Sequence, residues 1–181
     1  MKLLRTIRLD PSDALVFERA AEPGEWAVCG TFAFWSLDPA ALEGKARAAF
    51  RGGFLGVASL GWSTLVQIVD ARDEDRAALV EALARQLHER VGAPGLAEAH
   101  AAAEEEVAFA ASLCHHAVDT LVAVHRTVEA GEIRESFRTL RPRGERKPMR
   151  AFSLVEIEGE EEADENVDLI ALAKERRDKQ P

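Results

Sequence analysis

The sequence predicts an α+β protein in which an antiparallel or mixed sheet carries about three helices on one face. Runs of β-forming residues lie near both ends of the chain, and segments with helical periodicity and capping residues lie between them. This clustering favours α+β over a doubly wound parallel fold, in which strands and helices alternate. The predicted order is β-β-β-α-β-α-α-β-β, with one more strand over residues 150–157.

The N-terminal part is expected to form three strands. A short apolar run ends before Pro11, and residues 14–20 and 26–35 are two further β-rich runs. Pro23-Gly24 separates these two runs and predicts that they pair as a hairpin. One face of the second run is expected on the core, because its apolar residues share one parity: Trp26, Val28, Phe32 and Phe34. Gly30 is expected to mark a bulge or a close backbone approach.

The sequence of the middle of the chain predicts three helices and a buried strand. Asp38-Pro39 begins the first helix, which ends at Gly52-Gly53, and residues 62–71 form the strand. Asp73 caps the second helix, which Gly92 and Pro94 stop. The third helix covers residues 96–114 and pairs with the second in antiparallel fashion. Its predicted buried stripe is Leu96, His100, Ala103, Val107, Ala110 and Cys114.

A second hairpin and an acidic tail are predicted at the C-terminal end. Residues 119–128 and 133–140 read as strands around an Ala130-Gly131 turn. We expect residues 1–157 to form a single domain. Residues 158–181 are expected to be a disordered or loosely docked tail, because acidic residues dominate and apolar content is low.

Composition excludes several classes of function. The net charge of −9 argues against nucleic-acid binding, and no apolar run approaches the roughly 20 residues of a membrane span. Arg5 and Arg8 interrupt the N-terminus before a signal-peptide core could form. Cys29 and Cys114 give no disulfide framework, so the cytoplasm is the expected compartment.

The densest group of potential metal ligands is Cys114-His115-His116, at the predicted end of the third helix, with His125 in the strand that follows. Cysteine and histidine both bind zinc, but this spacing matches no closed zinc motif. The alternative is that the histidines interact with the helix dipole and Cys114 is a core residue. His100 and Glu104 lie one helical turn apart and could form an acid–base or metal pair, or satisfy each other alone.

Familiar catalytic motifs are incomplete. Residues 51–56 are glycine-rich, but a helix precedes them and a strand follows, which is the wrong context for a phosphate loop. Residues 61–64 lack the second glycine of a nucleophile elbow. Cys29 has no neighbouring histidine to activate it. No cofactor and no catalytic residue is therefore predicted.

Three stretches of the chain carry a family resemblance: residues 1–26, 49–69 and 104–127. Together they resemble a family of short, uncharacterised bacterial proteins that is classed only as a domain of unknown function. The resemblance covers about residues 1–141. It implies a bacterial cytoplasmic protein and supplies no activity, cofactor or site residue.

Three hypotheses of function remain. The first is a non-enzymatic accessory or interaction protein with a protein partner, no nucleic-acid or membrane partner, and an oligomeric state left open. The second is a small metal-binding protein or enzyme that uses the cysteine and histidine residues above. The third is a small-molecule-binding module with an aromatic pocket, formed from Trp26, Phe32, Phe34, Trp35 and Trp62.

Overall fold

The computed structural model describes residues 1–141 and 156–158. Within them, eight strands form one sheet in the order β4-β3-β2-β1-β5-β6-β7-β8. Every pairing between strands is antiparallel, so the α+β class is confirmed and the antiparallel alternative is the one realised. Across this described part of the chain, no helix has both the length and the apolar character needed to cross a bilayer.

The elements alternate more often than the sequence predicts. The strands are β1 (Lys2–Ile7), β2 (Trp26–Val28), β3 (Phe54–Gly56), β4 (Trp62–Ser63), β5 (Leu65–Asp70), β6 (Leu121–Glu129), β7 (Glu132–Arg141) and β8 (Glu156–Glu158). The helices are α1 (Ser12–Val16), α2 (Gly44–Gly52), α3 (Asp73–Gln86), which continues in a π-helical turn over Leu87–Val91, and α4 (Leu96–Ser112).

The first strand lies near the centre of the sheet. It pairs with β5 from Lys2 opposite Asp70 to Ile7 opposite Leu65, and with β2 on its other side. Leu3 and Leu4 are both fully buried, although they point to opposite faces of the strand. Both faces of β1 are therefore covered.

The prediction that residues 14–20 and 26–35 pair as a hairpin is wrong. Residues 12–16 form a helix, because the Asp10 side chain accepts a hydrogen bond from the Ser12 N–H and begins a helical turn. The buried Asp13 carboxylate then accepts a hydrogen bond from the Thr64 hydroxyl at 2.6 Å, which ties α1 to the β4–β5 junction. The run 26–35 is a strand only as far as Val28, and β2 pairs with β1 and β3 instead.

The helices are predicted more closely than the N-terminal strands. The first predicted helix is a short 3-10 turn over Pro39–Ala41 followed by α2, because the chain returns to an extended conformation at Leu42. Helices α3 and α4 pack against each other, as the short connection between them indicates. On α4 the buried residues are Ala99, Ala103, Val107 and Ala110, so Ala99 holds the position on the stripe that was predicted for His100.

The second predicted hairpin is confirmed. Strands β6 and β7 pair over nine residues, from Leu121 opposite Leu140 to Glu129 opposite Glu132, around the Ala130-Gly131 turn. β8 overlaps the end of the strand predicted over residues 150–157. The rest of that segment and the predicted tail after residue 158 lie outside the described residues.

Two apolar clusters form the interior. The larger one joins the central strands to α3 and α4. The smaller one consists of Phe17, Phe34, Ala49 and Phe50, so it joins the chain after α1 to α2. Trp62 packs against both clusters, and the candidate site forms where they meet.

Candidate functional site

An apolar pocket of about 300 Å³ opens at the junction of the two clusters. Its wall is built from segments that are distant in sequence, which include the turn after β2, the first half of α2, β3 and β4. The apolar lining residues are Phe32, Ala33, Phe34, Ala46, Ala49, Leu55, Leu60, Trp62 and Val91, and two charged residues, Glu18 and Lys45, complete the lining. A volume of this size suits a small organic ligand.

The turn after β2 places the aromatic rings of this wall. Gly30 has φ of 74°, which ends the strand and starts a 3-10 turn over Thr31–Phe34. A side chain at Gly30 could not be accommodated, because its Cβ would lie 2.6 Å from the Cβ of Leu55. The Phe34 ring then stacks on Trp62 with centroids 5.1 Å apart and meets Phe50 edge-on at 5.3 Å.

A buried arginine fixes this turn from behind. The Arg126 side chain on β6 is completely buried, and its Nε donates to the Glu135 carboxylate at 2.7 Å and to the Thr31 hydroxyl at 3.2 Å. The Thr31 hydroxyl donates in turn to the same carboxylate. The guanidinium carbon lies 6.0 Å from the centre of the Phe34 ring. Arg126 therefore anchors the start of the 3-10 turn at Thr31 and lies behind the Phe34 ring at its end.

The remaining nitrogens of Arg126 bind main-chain carbonyls. Nη1 donates to the carbonyls of Phe50 and Gly53 at 3.1 and 2.8 Å, at the end of α2, and Nη2 donates to the carbonyl of Cys29. Carbonyls at the end of a helix have no partner within the helix, so this guanidinium supplies one. A single side chain thereby connects β6, α2 and the turn after β2.

A second, partly buried carboxylate holds the turn from α4. The Glu106 side chain accepts a hydrogen bond from the Gly30 N–H at 2.7 Å. Burial raises the pKa of the Glu106 carboxyl, and the negative charge of Glu135 acts in the same direction. The hydrogen bond from Gly30 and the positive charge of Arg126 oppose this shift. The negative charges of both Glu106 and Glu135 thus interact with the positive charge of Arg126.

The buried thiol beside this network is not activated. Cys29 is 1% exposed, and burial, assisted by the charges of Glu135 and Glu106, raises the pKa of its thiol. A catalytic cysteine needs a lowered pKa and access to substrate. None of the residues of the Arg126 network lines the pocket. The network therefore positions the pocket wall from behind.

Three of the predicted metal ligands, Cys114, His115 and His116, lie just beyond the C-terminal end of α4. Cys114 is buried, its thiol contacts the carbonyl of Ala110 at 3.5 Å, and burial raises its pKa to about 11. The rings of His115 and His116 lie 4.0 Å apart, and the Lys2 ammonium donates to the main-chain carbonyl of His116. His125 is exposed on β6. Among the described residues, no three His, Cys, Asp or Glu side chains converge as a metal site requires.

His100 pairs with Glu81 and not with Glu104, the partner predicted from the sequence. His100 Nε2 lies 3.2 Å from Glu81 of α3, and both side chains are substantially exposed. The two antiparallel helices bring Glu81 close to His100, and periodicity along α4 alone could not show this. Glu104 is exposed on the surface of α4.

Three of the five predicted aromatic residues, Phe32, Phe34 and Trp62, line the pocket. Trp26 lies elsewhere, beneath the Arg5 guanidinium at 4.1 Å, and Trp35 is 77% exposed. Arg126, Glu135 and Glu106 are functional residues that were not predicted from the sequence. Arg126 nevertheless shares the parity of the buried residues Val122 and Val124 on β6, which is a detectable signal.

Comparison with known proteins gives a family but no activity. A search of curated proteins and a search of solved structures return no significant match. One family model matches residues 1–156, which is most of the chain. Its description is a family of unknown function, DUF6505. The resemblance expected from the sequence is thereby confirmed, and this chain belongs to the DUF6505 family of unknown function.

Proposed function

We propose that this protein acts by binding rather than by catalysis, as an accessory protein that takes a small apolar molecule into the pocket between α2 and the turn after β2. The observation that carries the proposal is the composition of the pocket wall. Nine of its eleven lining residues are apolar, and three of these are aromatic. Small-molecule sites are typically concave and apolar with a few polar groups, as here.

The support behind the wall strengthens this proposal. The five acceptors of Arg126 and the tie from Glu106 to Gly30 fix the segment that carries Phe32 and Phe34. A wall that is already ordered loses little conformational entropy when a ligand binds, which favours affinity. Such extensive bonding also leaves the buried charged groups engaged with protein atoms, and this suits a binding role better than a catalytic one.

Binding of a neutral apolar dye, N-phenyl-1-naphthylamine, tests the proposal. We expect the dye to fluoresce on binding the wild-type protein and to lose most of this signal in Ala46→Leu. Ala46 lines the pocket but is itself exposed, so a larger side chain fills the pocket without disturbing the core. Ala102→Leu, at an exposed alanine on α4, is the matched control. Absent binding, or equal binding by both variants, would refute the proposal.

A protein partner is a second candidate, and an exposed tryptophan favours it. Trp35 directly follows the pocket wall and is 77% exposed, and Leu37 beside it is 47% exposed. Tryptophan is enriched where proteins bind one another. We expect Trp35→Ser to lose a stoichiometric partner in affinity purification from the native host. Leu96→Ser, which changes an exposed apolar residue on α4, should retain it.

A further inference from the structure

Two opposite charges at the lining of the pocket have no partner among the residues that the structure describes. The Glu18 carboxylate and the Lys45 ammonium are both exposed and both line the pocket. Neither side chain forms a hydrogen bond or an ion pair with any residue that the structure describes. Arg19, in an adjoining hollow that shares Glu18, already donates to the carbonyl of Ser59 at 3.1 Å. Glu18 and Lys45 are therefore the charges available to a ligand.

The volume of the pocket indicates a small ligand. At about 300 Å³, it lies at the lower end of the range found for small-molecule sites.

The combination of these two features selects one class of molecule. Resting on the proposed binding function, we propose that the pocket binds a free α-amino acid with an apolar side chain, whose carboxylate faces Lys45 and whose ammonium faces Glu18. An anion without the ammonium would face the like charge of Glu18, and a cation without the carboxylate would face Lys45. A zwitterion complements both charges, and like-charge contacts are the usual means of rejecting the wrong ligand.

Three ligands with the same ring test the two charges separately. Each would compete with N-phenyl-1-naphthylamine for the wild-type protein: L-phenylalanine, 3-phenylpropanoate, which lacks the ammonium, and 2-phenylethylamine, which lacks the carboxylate. We expect phenylalanine to bind most tightly. The gain over each analogue should be about two- to fivefold, because exposed charge pairs contribute modestly.

Variants of the two charged residues should show opposite selectivity. Lys45→Gln should weaken phenylalanine and phenylpropanoate and leave phenylethylamine unchanged. Glu18→Gln should weaken phenylalanine and phenylethylamine and leave phenylpropanoate unchanged. Arg47→Gln is the matched control, because Arg47 is an exposed cation on the same helix that does not line the pocket.

The outcomes separate this inference from the proposed function. If the dye binds in the pocket but the three ligands compete equally, or only one of the two variants changes selectivity, the zwitterion inference is refuted and the apolar binding function stands. If the dye does not bind, or Ala46→Leu does not affect it, the binding function itself is refuted. Crossed selectivity of the two variants, with the control unchanged, would support the inference.

Discussion

Replacing Arg126 with methionine should destabilise the protein by about 4 kcal/mol. Methionine has similar length but donates no hydrogen bond, so Glu135, at 17% exposure, loses its cation and three main-chain carbonyls lose their donor. Breaking a buried ion pair from one side costs about 3–5 kcal/mol, because the other charge stays buried and unpaired. Against a total stability of about 5–15 kcal/mol, this is a large fraction.

Urea unfolding followed by tryptophan fluorescence measures this loss. Arg134→Met is the matched control on the same hairpin, because Arg134 and its partner Glu129 are 63% and 64% exposed and lie 3.5 Å apart. We expect the control to change stability by less than about 0.5 kcal/mol. A cost below about 1 kcal/mol for Arg126→Met would show that Arg126 does not hold the three segments together.

Three further predictions concern the turn after β2. The raised pKa of Glu106 means that the folded state binds this proton more tightly than the unfolded chain, so stability from this group declines as pH rises from 4.5 through the folded pKa. Glu106→Gln should remove that decline in urea midpoints measured across the range, and Glu105→Gln, an exposed neighbour, should not. Gly30→Ala should lower the free energy of unfolding by about 3 kcal/mol. Gly24→Ala should lower it by about 1 kcal/mol, because Gly24 shares the positive φ but has open space around it. Equal losses of stability in thermal unfolding would show that crowding at Gly30 is unimportant. Because burial raises the pKa of Cys29, its thiol should react with Ellman's reagent only as the protein unfolds, and rapid labelling of the native state would contradict this.

The secondary-structure elements were predicted best where local sequence signals agreed with tertiary contacts. Helices α3 and α4 and the β6–β7 hairpin each combine a clear apolar pattern with a cap or a turn at the expected place. The strand predicted over residues 14–20 was wrong, because their β-forming composition competes with a helix start at Asp10. The hydrogen bond between Asp13 and Thr64 stabilises that helix. That tie joins residues 51 apart, and composition carries no information about it.

The candidate site was predicted only in part, because its residues come from segments that the topology brings together. Phe32, Phe34 and Trp62 could be proposed as pocket residues, but Trp26 and Trp35 have the same chemistry and lie elsewhere. The pairing of Arg126 with Glu135 could have been predicted, since the hairpin register places them directly opposite each other. A charged residue on the buried parity of a strand is the signal that was overlooked.

The hydrogen bonds of Arg126 join residues far apart in the sequence, and this affects the order in which contacts form during folding. Its carbonyl acceptors on Cys29, Phe50 and Gly53 are 97, 76 and 73 residues away in the chain, whereas Glu135 is nine residues away. Contacts across such separations form after local hairpins, because loop closure must precede them. We therefore expect the guanidinium to stay hydrated until the sheet has assembled around it. Its loss should accelerate unfolding far more than it slows folding, so this side chain governs how long the native state persists.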